Sequence, residues 1–126
     1  MKYEFTIHGY IPRAPNARAR MHWSRRMDER NFWEACCALA AYTDDIPKAT
    51  DNDLVRKVSY TIHKPGKVRL RDEDNLVASV KHLQDALVNI GLLVDDDKRW
   101  LEWGGVTERN GMKRYATVVT LEDWYD

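Results

Sequence analysis

The sequence predicts a single small α+β domain, and three observations carry that expectation. Two stretches, around Tyr3, Phe5 and Ile7 and around Val58, Tyr60 and Ile62, alternate apolar with polar residues, the period of a half-buried strand. Leu76, Val80, Leu83, Leu87 and Ile90 recur at four- and three-residue steps, the period of an amphipathic helix. Asn110–Gly111 separates two further strand-like stretches and is a strong hairpin signal. The resulting order, β-α-β-α-β-β, implies two helices on a mixed, mainly antiparallel sheet.

Taken in order, the first strand is followed by an irregular Pro/Arg-rich segment from Gly9 to about Arg20. Ser24 to about Tyr42 reads as a helix with Phe32, Cys36 and Leu39 on one face and alanines filling the turns. Residues 43–53 are a polar loop containing Pro47, and the second strand closes at Pro65–Gly66. The strongest helix is stopped by Gly91, and Leu92–Leu93–Val94 leads from it into Asp95–Asp96–Asp97. The last two strands span about 99–108 and 113–121. No internal repeat or linker interrupts residues 1–126, so one domain is expected.

A chain 44% hydrophobic and 32% charged is not disordered in composition. It lacks an apolar run of membrane-span length and a leader's charged-then-apolar opening, so a cytoplasmic protein with no membrane partner is expected. Cys36 and Cys37 lie in an Ala-rich helix with nothing at metal-ligand spacing and read as buried, reduced thiols. His8, His22, His63 and His82 likewise lack ligand spacing, which disfavours a zinc-dependent or HNH-like nuclease.

A formal net charge of zero speaks against a simple basic nucleic-acid binder, but the charge is unevenly distributed. Residues 11–30 carry a surplus of +4 and residues 64–71 another +4. Acids concentrate in Asp72–Glu73–Asp74 and Asp95–Asp96–Asp97. Basic segments beside clustered carboxylates suit a surface that grips phosphates around a metal; ordinary solvated charge gives the same pattern. Asp72 and Asp74 bracket the start of the strong helix, and Asp96 follows it, so a return of the chain to the sheet end would bring the three together. Three hard carboxylates favour Mg²⁺, with Mn²⁺ as a substitute, over Zn²⁺. The alternative is an aspartate that caps a helix and a triple aspartate solvated in a turn. An EF-hand loop beginning at Asp72 would need a glycine at its sixth position and a closing glutamate, and has neither. A phosphatase-type Asp-x-Asp would follow an apolar strand, whereas Val68–Arg71 is basic.

The run Arg71-Asp72-Glu73-Asp74-Asn75-Leu76, then Lys81, Asp85-Ala86-Leu87, Gly91-Leu92-Leu93 and Asp95-Asp96, resembles the signature of the RusA Holliday junction resolvases. A weaker echo is the proline-and-arginine lead-in from Pro12 to Arg26. The resemblance implies a homodimeric, Mg²⁺-dependent endonuclease that recognises four-way DNA junctions by shape and nicks two strands of like polarity. It places catalytic, metal-binding aspartates at Asp72, Asp74 and Asp96, with Asp95 or Asp97 as alternatives for the third, and a catalytic lysine at Lys81. One departure is that Ala78 stands four residues after Asp74, where the family carries its lysine, and Lys81 comes three later. On a helix that keeps the lysine's direction and moves it roughly 4–5 Å along the axis.

DNA-binding candidates are Arg13, Arg18, Arg20, Arg25, Arg26, Lys67, Arg69 and Arg71, since guanidinium groups fit phosphate geometry. The five tryptophans, Trp23, Trp33, Trp100, Trp103 and Trp124, offer either base-stacking surfaces or core and interface filling. The expected function is resolution of branched DNA in recombination and repair. The rivals are a non-catalytic DNA-structure-binding protein of the same fold and a metal-dependent nuclease acting on other branches.

Overall fold

In the computed structural model, which describes residues 1–13 and 22–124, four strands form one mixed sheet with helices packed on it. The elements are β1 (Lys2–His8), α1 (Trp23–Thr43), α2 (Ala49–Asn52), β2 (Arg56–Pro65), α3 (Glu73–Ser79), α4 (Lys81–Asn89), β3 (Leu101–Met112) and β4 (Ala116–Asp123). The α+β class and the mixed sheet follow the expectation. No helix among the described residues is long and apolar enough to cross a membrane.

The sheet order is β1-β4-β2-β3, with β4 antiparallel to both neighbours and β2 parallel to β3. The expected β3–β4 hairpin is therefore absent, because β2 lies between those strands. Asn110–Gly111 instead forms an irregularity inside β3. Between the pairs His63↔Arg109 and Pro65↔Met112, β3 contains one residue more than β2, and Gly111 takes φ +87°. A positive φ serves a bulge as readily as a tight turn, so the local signal was real but its topology was not. A second bulge falls at Gly104–Gly105, where a Cβ on Gly104 would lie 2.7 Å from the Val58 carbonyl oxygen.

One face of the sheet carries the core. Phe5, Ile7, Val58, Tyr60, Ile62, Val119 and Leu121 meet Trp33, Cys37, Leu83 and Leu87 from α1 and α4. On α1 the buried stripe runs through Trp33 and Cys37, while Leu39 is 67% exposed, so the expected Phe32–Cys36–Leu39 face is turned by about one residue. Alanines on several sides leave that helix little amphipathic contrast, and the bulky indole decides which side faces inward. Burial pushes the Cys37 thiol up to about 12, helped by the neighbouring Cys36, and raises Cys36 as well. Both thiols are free and protonated at neutral pH.

The strong helical pattern from Leu76 to Ile90 is two helices rather than one. Ser79 Oγ donates to the Leu76 carbonyl at 2.7 Å, and the helix breaks at Val80 (φ −87°, ψ −5°). The segment 43–53, expected as loop, contains the single turn α2, whose Ala49 is fully buried. Arg56, fully buried at the start of β2, bonds Asp123 at 2.6 Å and the Leu92 carbonyl at 2.9 Å. Its guanidinium also lies over the Tyr3 ring. These contacts tie the sheet edge to the Leu92–Leu93 segment, which is buried but not extended into a strand.

Candidate active site

The run Arg71–Leu76 follows β2 in the chain and meets β3 at Glu108, which both the backbone and the side chain of Arg71 bond. Asp72, extended at φ −68° and ψ 163°, is the N-cap of α3. Its Oδ1 accepts from the Asn75 backbone N–H at 2.9 Å and its Oδ2 from Asn75 Nδ2 at 3.1 Å. Asn75 thus orients the whole carboxylate, and lone pairs remain on both oxygens. Asp74, the second residue of α3, is exposed and makes no hydrogen bond or ion pair among the described residues. Leu76 is buried and anchors the turn to the core.

What fixes this turn in space is a buried ion network that the sequence did not reveal. Glu108 of β3, paired with Ile62, accepts from the Arg71 backbone N–H and from Arg71 Nε at 2.8 Å, and its Oε1 lies 3.1 Å from Lys64 Nζ. Lys64 Nζ also donates to the Arg69 carbonyl at 3.0 Å, and Arg71 Nη1 to the Pro12 carbonyl at 2.9 Å. The side chains of Glu108, Lys64 and Arg71 are 2%, 8% and 13% exposed, so the three charges are out of water together. Burial alone would raise the Glu108 carboxyl, but the Arg71 and Lys64 donors outweigh it and hold the group below the usual carboxylate range. The residue immediately before Asp72 is clamped at both backbone and side chain. A glutamate in mid-strand is read as solvent-facing, and its partners lie far away in sequence.

Arg71 therefore has a structural role. Its guanidinium is held by Glu108 and Pro12 and turned away from bulk solvent. Lys67 and Arg69 are exposed and make no side-chain ion pair among the described residues. Arg25 and Arg26 are exposed on the first turn of α1, and Arg13, 59% exposed, has Nε 3.6 Å from Glu29 Oε2. Arg18 and Arg20 lie outside the described residues.

The aspartate triplet separates into distinct roles. Asp95 Oδ1 accepts from the Asp96 N–H at 2.7 Å. Asp97 accepts from the Arg99 N–H at 2.9 Å and pairs with its guanidinium at 3.0 Å, contacts that lower its carboxyl. Of the three, only the Asp96 carboxylate accepts no hydrogen bond and makes no ion pair among the described residues. It lines a hollow of about 330 Å³ with Arg30, His82, Asp85 and Asp95, and so sits beside α4 rather than beside Asp72. Among the described residues of one chain, no three His, Cys, Asp or Glu side chains form a group that could hold a metal ion. The chain thus supplies a pair, Asp72 and Asp74, with Asp96 apart.

Asp72 and Asp74 suit a hard cation on chemical grounds. Both offer oxygen donors with spare lone pairs, and Mg²⁺ is commonly held by one or two carboxylates with water and substrate phosphate completing the shell. Lys81, the first residue of α4, is exposed, as are Asp74, Ala78 and Asp85. It makes no ion pair with Asp85, and the break at Val80 stands between it and Asp74.

On the other side of Arg71 opens a cleft of about 690 Å³, lined by Tyr10, Ile11, Pro12 and Arg13, by the first turns of α1, and by Lys64 and Arg71. No protein-family model matches the chain, and no curated protein sequence matches it significantly.

Proposed function

We propose that the chain is a divalent-metal-dependent endonuclease acting on branched DNA, a four-way-junction resolvase of the RusA type that works as a homodimer. The observation that carries this reading is the Arg71–Asp72–Glu73–Asp74–Asn75–Leu76 run, in which five of the six residues have a task suited to a phosphodiesterase site. Arg71 anchors, Asp72 is oriented, Asn75 orients it, Leu76 pins the turn, and Asp74 faces solvent without a partner.

Asp72 and Asp74 would hold Mg²⁺ or Mn²⁺, and Asp96 would join them as a ligand only in the assembled, DNA-bound protein. The cation supplies Lewis-acid activation of water and neutralises charge on the phosphodiester. The other tasks belong to side chains. Lys81 aims a positive charge at the oxygen on which negative charge develops, and Arg13, Arg25, Arg26, Lys67 and Arg69 follow the phosphate backbone. A homodimer suits the substrate, since two like-oriented nicks in a two-fold junction call for two sites related by a two-fold axis.

A second reading, a DNA-structure-binding protein without catalysis, draws on the separation of Asp96 from the Asp72–Asp74 pair. Metal substitution distinguishes the two. Mg²⁺ or Mn²⁺ is expected to support nicking of branched DNA, and Ca²⁺ to support binding with little turnover. Binding with no nicking under any of these ions would establish the second reading, and nicking that survives chelation would remove the metal from the first.

Lys81→Ala tests the role of the lysine. Charge donors aimed at a developing oxyanion contribute ~3–4 kcal/mol, so the single-turnover rate is expected to fall about a hundredfold to a thousandfold with DNA affinity little changed. Asp85→Ala is the control. If both variants cleave within a few-fold of wild type, Lys81 is a surface residue and the three-residue offset has moved it out of reach.

A further inference from the structure

We infer that the cleft beside Arg71 is a receptor for one unpaired nucleotide of branched DNA, an inference that rests on the DNA-processing reading above. Three observations point to a base with its phosphate. First, the cleft has an aromatic wall. The Tyr10 ring lies 4.5 Å from Phe32 at an angle of 59°, Phe32 lies 5.2 Å from Trp33, and Tyr10 is 55% exposed at the mouth. Rings presented in this way stack on any base, because every base has a π-face.

Second, the wall carries an unmet donor. Trp33 is 2% exposed and its Nε1 has no hydrogen-bond partner. Glu29, one helical turn earlier on α1, sets its Oε1 3.1 Å from His82 Nε2 and its Oε2 3.6 Å from Arg13, with no hydrogen bond to Oε2. Buried polar groups in native proteins are nearly always satisfied, and a base edge presents donors and acceptors side by side. Third, the charge balance favours an anion. Arg13, Arg25, Lys64 and Arg71 line the cleft against Asp28 and Glu29, with Lys64 and Arg71 already paired to buried Glu108 and Arg13 3.6 Å from Glu29. Of these, Arg13 and Arg25 are the exposed cations at the rim, placed for a phosphate. At about 690 Å³ the cleft has room for a nucleotide, and Arg71, shared between its lining and the clamp on Asp72, sets it next to the candidate carboxylates.

The test uses the full chain with a chelator present, so that binding is read apart from cleavage. The probe is a branched DNA with one unpaired 2-aminopurine at the branch point, beside a fully paired duplex of the same sequence. Binding to wild type is expected to quench the probe by stacking. Tyr10→Ala, at an exposed position that leaves folding intact, is expected to keep the probe bright and weaken branched-DNA affinity about fivefold to a hundredfold, with duplex affinity within about twofold. Trp33→Phe keeps a ring and removes the N–H, for an expected loss of about twofold to tenfold. An abasic residue in place of the probe should bring wild type down to the affinity of Tyr10→Ala. A probe that stays bright on wild type, or equal losses on branched, abasic and duplex DNA, would overturn the inference. If wild type nicks junctions while the probe stays bright, the cleft inference alone fails; if it binds no branched DNA, the nuclease reading fails with it.

Discussion

Glu108→Gln is expected to destabilise the protein by about 3–5 kcal/mol, a drop in Tm of about 10–20 °C. The substitution keeps the shape of the side chain and removes its charge. Lys64 and Arg71 then remain buried with no anion, and desolvated charges without a partner are among the costliest features a fold can carry. Adding Lys64→Met should recover part of the loss, because it removes one of the two orphaned cations. The pH dependence has a definite sign. The folded Glu108 carboxyl lies below its ordinary range, so its contribution is fully present at neutral pH and disappears as pH falls through and below the usual glutamate range. Thermal melts from pH 7 downward should show wild type losing stability in acid more steeply than Glu108→Gln. A Tm within about 2 °C of wild type at pH 7 would contradict the burial of this network.

The elements with strong periodicity were legible in the sequence. The alternation in β1 and β2 and the stripe from Leu76 to Leu87 reflect burial on one side, and burial is what hydropathy records. Strand neighbours were not legible, because Asn110–Gly111 specifies a positive φ and says nothing about which strand lies alongside. The break at Val80 depends on a serine hydroxyl competing for a backbone carbonyl, an event that leaves no mark in apolar spacing. In the candidate site, Asp72, Asp74 and Lys81 were picked out by the family resemblance, and all three are exposed. Glu108 and Arg56 were not, since a buried charge is defined by partners remote in the chain: Arg71 and Lys64 for one, Asp123 for the other. How Asp95, Asp96 and Asp97 differ needed the turn itself, in which Asp95 accepts from the Asp96 N–H, Asp97 from the Arg99 N–H, and Asp96 from neither.

Asp74→Asn is expected to reduce cleavage about a thousandfold or more while leaving DNA binding intact or tighter. A neutral amide is a poor ligand for Mg²⁺, and loss of cation-borne stabilisation of several kcal/mol corresponds to a rate loss of that size. Removing a negative charge beside the phosphates reduces repulsion, which is why affinity should hold or rise. Folding should not change, because Asp74 makes no hydrogen bond or ion pair among the described residues and its side chain is exposed. The most direct test is therefore wild type and Asp74→Asn side by side on a labelled four-way junction and a linear duplex, with and without Mg²⁺. The account predicts paired nicks at symmetric positions on the junction from wild type with Mg²⁺, none on the duplex, and none from Asp74→Asn, which still shifts the junction. Equal cleavage by both proteins, or no cleavage of the junction by wild type with Mg²⁺, would contradict it.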